Sequence, residues 1–139
     1  MTHLMRSFNI IPGDFVKAGE ASIQVQGILK AIGFDTDLIR RISICAYEAE
    51  MNVVMHGGDG TLFLLVDPDI ISLEVKDNGP GIEDIELAFQ EGYSTAHSEH
   101  RELGFGAGMG LPNIKRNADH CELYSKKGEG SSLKMRFKA

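Results

Sequence analysis

Apolar and polar positions along the chain alternate between two periodicities. Residues 4–10 read as an edge strand. Pro12-Gly13-Asp14 reads as a helix start, and Phe15, Ala18, Ile23, Ile28 and Leu29 carry a predicted helix from there to Lys30, stopped by Gly33. A second helix is predicted to about His56, capped by Asp35 or Thr36 and ended by Gly57-Gly58. Within it Ile39, Ile42, Ala46, Ala49 and Val53 recur at helical spacing, and Ile44, Met51 and Met55 line a second side. Two apolar runs, 61–66 and 70–75, flank Asp67-Pro68-Asp69 and predict a hairpin. A long stretch rich in glycine and polar groups follows, holding one short predicted helix at 83–89. Such a loop in a compact domain is usually a functional lid or a disordered segment. The next helix has Pro112 near its first turn, and residues 121–125 and 132–137 form a last pair of strands around Gly128-Glu129-Gly130. This order is not a regular βαβ alternation. The expectation is an α+β two-layer sandwich with a mostly antiparallel mixed sheet and helices on one face, as one domain over residues 1–139.

Composition narrows the function. The formal net charge is -6 over 139 residues, so a nucleic-acid backbone is repelled overall and no nucleic-acid partner is expected. A bound nucleotide would need local donors set against that background. No apolar run approaches bilayer-spanning length and no signal peptide opens the chain, so a cytoplasmic protein without membrane attachment is expected. Cys45 and Cys121 read as reduced thiols.

Three constellations carry candidate chemistry. Glu48 lies in the second stripe of the second helix, between Ile44 and Met51, with Asn52 one turn on. A carboxylate among apolar neighbours is costly without a partner, and a metal, a water or a reacting hydroxyl would serve. Glu50 points elsewhere and reads as a solvated charge. The second constellation, Asp77-Asn78-Gly79-Pro80-Gly81, follows a strand end, where Asp77 can accept a hydrogen bond from an amino group; a plain turn explains it equally well. The third is the run of alternating glycines 104, 106, 108 and 110 leading into a helix, whose free N–H groups and helix N-terminus suit an anion. Lys115 and Arg116 are expected in the first turns of that helix. Alone, this run is a phosphate loop or a mobile linker. It is not a Walker loop or a Rossmann fingerprint. His97, His100 and His120 lack metal-site spacing and read as exposed loop residues. The Gly-x-Ser-x-Gly elbow and the eukaryotic kinase signatures are absent.

Taken in order, Glu-x-x-x-Asn on a helix, Asp-x-Gly-x-Gly and a glycine-rich loop before a helix resemble the GHKL ATPase superfamily, whose domain is the Bergerat ATP-binding fold. Residues 46–52 with His56-Gly57 resemble its anti-sigma-factor serine/threonine kinase branch. Asp84-Ile85-Glu86-Leu87-Ala88, Gly92-Tyr93-Ser94-Thr95 and Gly108-Met109-Gly110-Leu111-Pro112 resemble the switch kinases of the general stress response. The resemblance covers nearly the whole chain. It implies Glu48 as general base, Asn52 as a Mg²⁺ ligand and Asp77 as acceptor for the adenine amino group. It also implies that Gly79 and Gly81 shape the adenine pocket and that Gly106, Gly108 and Gly110 line the phosphates. Ser131 or Ser132 would place a hydroxyl near the adenine, with no choice between them. Lys115 and Arg101 are further candidates for the phosphates. The charged segment 96–103 makes the lid longer than is usual for these kinases.

The implied function is Mg-ATP-dependent phosphorylation of a STAS-domain anti-sigma-factor antagonist. A sigma factor or a phosphatase is a further candidate partner, and the oligomeric state stays open, a homodimer included. The competing reading is an ATP-gated anti-sigma factor that sequesters its partner without significant kinase activity. A stand-alone ATPase or the catalytic half of a histidine kinase fits less well, with no transducer domain and no phosphoacceptor helix within 139 residues.

Overall fold

The computed structural model describes residues 4–56, 58–79, 110–126 and 128–139. These form strand β1 (Leu4–Ile10), helices α1 (Glu20–Ile32) and α2 (Thr36–His56), strands β2 (Gly60–Val66) and β3 (Ile70–Asp77), helix α3 (Gly110–Asn117), and strands β4 (His120–Lys126) and β5 (Gly130–Lys138). The strands make one antiparallel sheet in the order β1-β2-β3-β5-β4. Helices cover one of its faces, giving the expected α+β sandwich. The predicted edge strand and both hairpins are present.

Strand alternation decides what the helices cover. Leu62 and Leu64 of β2, Ile71, Leu73 and Val75 of β3, and Leu133, Met135 and Phe137 of β5 are buried on the helix-facing side. Burying such a side chain fully contributes about 1.5–3 kcal/mol each. Facing them, Ile42, Ala46, Ala49 and Val53 of α2 are buried along one stripe, as the periodicity predicts. On the other stripe Met51 is buried, Met55 packs against the core and Ile44 stays half-buried, and α1 and α3 both pack against this helix. Cys45 is fully buried there and its thiol donates to the Ile114 carbonyl of α3 at 3.7 Å. Burial pushes that thiol up to about 12, and both cysteines are free. Arg41 of α2 donates to the Asn117 carbonyl at 3.1 Å and so satisfies the C-terminal end of α3.

Helix α2 begins as expected, with the Asp35 carboxylate, rather than Thr36, accepting from the N–H groups of Asp37 and Leu38. Helix α1 does not. It starts at Glu20, not near Pro12, and its core-facing residues are Val25 and Leu29, while Ile23 is 67% exposed. The cause is Glu50, whose reading as a solvated charge is wrong. This carboxylate is 3% exposed and accepts from the N–H groups of Gly19 (3.0 Å), Ala21 (3.4 Å) and Ser22 (3.1 Å) and from the Ser22 hydroxyl (2.6 Å). An anion from a neighbouring helix thus caps the first turn of α1. Pro12 and Gly13 lie in the preceding loop, held where the Gly13 N–H donates to the Val54 carbonyl at 2.8 Å. The local start signal loses to a tertiary one. Strand β3 also runs two residues past Val75, to Asp77.

Truncating Glu50 should therefore cost more than any surface charge. Glu50→Ala is expected to destabilise by about 3 kcal/mol or more, and Glu50→Gln, which keeps the shape but faces donors with a donor, by about 1–3 kcal/mol. Urea unfolding reads both; a change within about 0.5 kcal/mol for Glu50→Ala would show that the cap contributes little.

Candidate active site

Two clusters of polar side chains converge on one end of the sandwich. The first is carried by α2 and α3. Glu48 and Asn52 stand one turn apart on α2, both half-buried. The first residue of α3, Gly110, lies directly over them: a Cβ at that position would sit 3.2 Å from Glu48 Oε2 and 3.3 Å from Asn52 Oδ1. Gly110 thus brings backbone against these two side chains, and a larger residue there would require Glu48 and Asn52 to shift by a few tenths of an ångström. The N-terminus of α3, with the partial positive charge of a helix start, lies at the same place. Asn113, one turn into α3, donates from Nδ2 to Glu48 Oε1 at 3.4 Å.

Burial raises the proton affinity of Glu48 above that of an ordinary glutamate, and the Asn113 hydrogen bond partly offsets the rise. Such a carboxyl is suited to take and release a proton nearer neutrality than a surface carboxylate is.

The second cluster sits where β3 ends. Alternation places Asp77 and its cross-strand partner Ser131 on the helix-facing side. Ser131 Oγ donates to Asp77 Oδ2 at 2.6 Å, while Oδ1 accepts from the N–H groups of Gly79 (2.8 Å) and Gly58 (3.3 Å). A carboxylate offers about four lone-pair positions, so three donors leave room for one more. Gly130, at φ +92°, makes the register possible: any Cβ there would collide with the Asp77 carbonyl oxygen. The two clusters are joined through α2, since Val53, adjacent to Asn52, packs on Gly60, the cross-strand partner of Asp77.

Sequence reasoning left Ser131 and Ser132 undecided, and the strand register separates them. Ser132 lies on the opposite face, beside Lys76 and Tyr124. Lys115 and Arg116 are in the last turn of α3, not its first turns, and both are exposed; the Lys115 charge is felt by Cys121. His120 opens β4 rather than lying in a loop, and pairs with Glu122 at 3.1 Å. Gly81, Arg101, Gly106 and Gly108, His97 and His100, and the short helix at 83–89 lie outside the described residues. Asn113 and Gly58 were not foreseen. Asn113 carried a signal, being a polar side chain between the buried Pro112 and Ile114. Among the described residues no cluster of His, Cys, Asp and Glu forms a ready metal site.

With this geometry in view, comparison with known proteins is informative. The family described as the histidine kinase-like ATPase domain matches residues 12–137, and the chain belongs to it. Among its relatives are proteins named as a serine/threonine-protein kinase and as anti-sigma F factors. It is 31% identical over 112 residues to the serine/threonine-protein kinase RsbT of Bacillus subtilis (strain 168), covering 78% of each chain. It is 33% identical over 102 residues to the anti-sigma F factor of Thermoanaerobacter sp. (strain X514), covering 70% of this chain and 68% of that one. It is 28% identical over 126 residues to the anti-sigma F factor of Clostridium perfringens (strain SM101 / Type A), covering 86% of each. ATP binding follows from the family.

A folded-state carboxyl with raised proton affinity lowers stability as pH climbs from the usual glutamate range towards neutrality, because the folded state then binds more protons than the unfolded one. Glu48→Gln is therefore expected to raise the melting temperature at pH 7, with the gain shrinking towards about pH 4, where an ordinary glutamate is half protonated. Thermal unfolding at both values checks the sign; a gain independent of pH would count against burial as its cause.

Proposed function

We propose that the protein is a Mg-ATP-dependent protein serine/threonine kinase that regulates a sigma factor by phosphorylating a STAS-domain antagonist. The observation that carries this reading is the meeting of Glu48 and Asn52 under the N-terminus of α3. It brings together a carboxylate, a neutral amide oxygen and a helix N-terminus, which supports the reading. The relatives named as a serine/threonine kinase and as anti-sigma factors support it.

In this reading Glu48 is the general base that takes the proton from the acceptor serine or threonine hydroxyl as its oxygen attacks the γ-phosphoryl group, the bond to the β–γ bridging oxygen breaks and ADP leaves. Asn52 would hold Mg²⁺ through its side-chain oxygen, and the ion would supply charge neutralisation at the phosphates; one such side chain suffices where phosphates and waters complete the shell. The spare acceptor position of Asp77 suits the adenine amino group, with Ser131 holding the carboxylate in place. Gly79 and Gly81 border the adenine, and Gly106, Gly108 and Gly110 offer backbone to the phosphates. Lys115 and Arg101 remain candidates for steering those phosphates over a longer range, Lys115 from the far end of α3. A protein of net charge -6 holds a nucleotide only where local donors outweigh the background. No helix among the described residues is long and apolar enough to cross a membrane, which is compatible with work in the cytoplasm. A sigma factor, a phosphatase or a second copy of the chain are further partners this reading admits.

The presence of anti-sigma F factors among the relatives favours one second reading, a nucleotide-gated module that sequesters its partner. The two separate by transfer from γ-labelled Mg-ATP to a STAS-domain protein of the same cell. The kinase labels a serine or threonine. Glu48→Ala lowers that rate by about 10²–10⁴-fold while sparing most nucleotide binding. Asn52→Ala weakens Mg-ATP binding itself by about 10- to 100-fold, the worth of one lost contact to a charged group. No label from wild-type protein that still binds ATP and the STAS protein would replace the kinase with the sequestering switch.

A further inference from the structure

The Glu48 carboxylate has two inequivalent oxygens. Oε2 is the one towards Gly110, while Oε1 receives the Asn113 side chain at 3.4 Å. Asn113 is itself held at both ends. Arg116 donates from Nη2 to Asn113 Oδ1 at 2.5 Å. A guanidinium can only donate, so the amide oxygen must face Arg116, and the NH₂ end is the one turned to Glu48. The Asn113 backbone is fixed as well: its carbonyl accepts from Asn117 Nδ2 at 2.8 Å, and the Asn117 carbonyl is held by Arg41 of α2. A hydrogen bond of 3.4 Å is weak, so its effect is orientation more than charge stabilisation.

Resting on the reading of Glu48 as general base, we propose that Asn113 is a positioning residue that engages Oε1 and so presents Oε2 to the acceptor hydroxyl. Arg116 sets the amide the right way round. The device joins the base to the same helix whose first residue is the last glycine of the phosphate-lining motif, so base and phosphate contacts are set by one rigid element. A carboxylate left free to rotate about its side-chain torsions would meet the hydroxyl in fewer of its conformations, a loss of near-attack geometry and not of binding.

The test combines single-turnover transfer to the STAS-domain protein with Mg-dependent binding of a fluorescent ATP analogue and with NMR of the nucleotide-free protein. Asn113→Leu keeps the branching of the side chain and Asn113→Asp its volume, and both remove the donor. Each is expected to lower the transfer rate about 10- to 100-fold with nucleotide affinity changed less than about twofold. Asn113→Gln, which restores a donor, should recover part of the loss. In a Glu48→Ala background Asn113→Leu should have no further effect, because it acts only through that carboxylate. In the nucleotide-free protein the Asn113 side-chain amide resonance should shift on Glu48→Ala. An unchanged transfer rate in Asn113→Leu, or an equal loss with and without Glu48, overturns the positioning role and leaves the kinase reading standing. Wild-type protein that transfers no phosphate overturns both. An amide resonance indifferent to Glu48 overturns the contact itself, whatever the activity.

Discussion

The rotational setting of α2 about its own axis is the constraint on which the helix layer depends. The Glu50 carboxylate gathers the first N–H groups of α1 on one side of the helix. Arg41 and Cys45 reach the carbonyls of Asn117 and Ile114 in α3 on another. Ala46, Ala49 and Val53 press on the sheet. Fixed on three sides, α2 cannot turn, and Glu48 and Asn52 must face the N-terminus of α3. Residues 48 and 50 lie about 200° apart around a helix, so one carboxylate closes the α1 interface while the other faces α3. Burying Glu50 is tolerable only because its donors are numerous and aimed at it.

The two carboxylates show how environment assigns roles to one residue type. Glu50 is nearly sheathed in donors and serves structure. Glu48 has burial without full satisfaction, one long hydrogen bond from Asn113, and a raised proton affinity as a result. Asp77 is intermediate, held by three donors with acceptor capacity to spare. A molecule of net charge -6 cannot attract a nucleotide through its overall field, so recognition must be local. In the proposed kinase those groups act together because phosphoryl transfer asks for positioning and charge neutralisation more than for covalent participation.

Much of this was legible in residue order. The stripes of α2, both hairpins and the placement of Glu48, Asn52 and Asp77 on a helix and at a strand end follow from periodicity and turn chemistry, which act between neighbours in the chain. The choice between Ser131 and Ser132 did not, because it depends on which face of β5 lies opposite Asp77, and register is a property of the sheet. The start of α1 was misplaced and Glu50 misread for one shared reason: the cap and the helix it caps are some thirty positions apart, and local start signals at Pro12 and Gly13 carry no trace of it. Asn113 escaped notice in the same way, since its partner Glu48 lies on another helix. What the sequence alone determined was the class of most of the described elements and the residue types able to do chemistry; which of those groups meet, and which carboxylate is satisfied by donors and which is not, was decided only by tertiary packing, because burial and hydrogen-bond satisfaction are set by segments far apart in the chain.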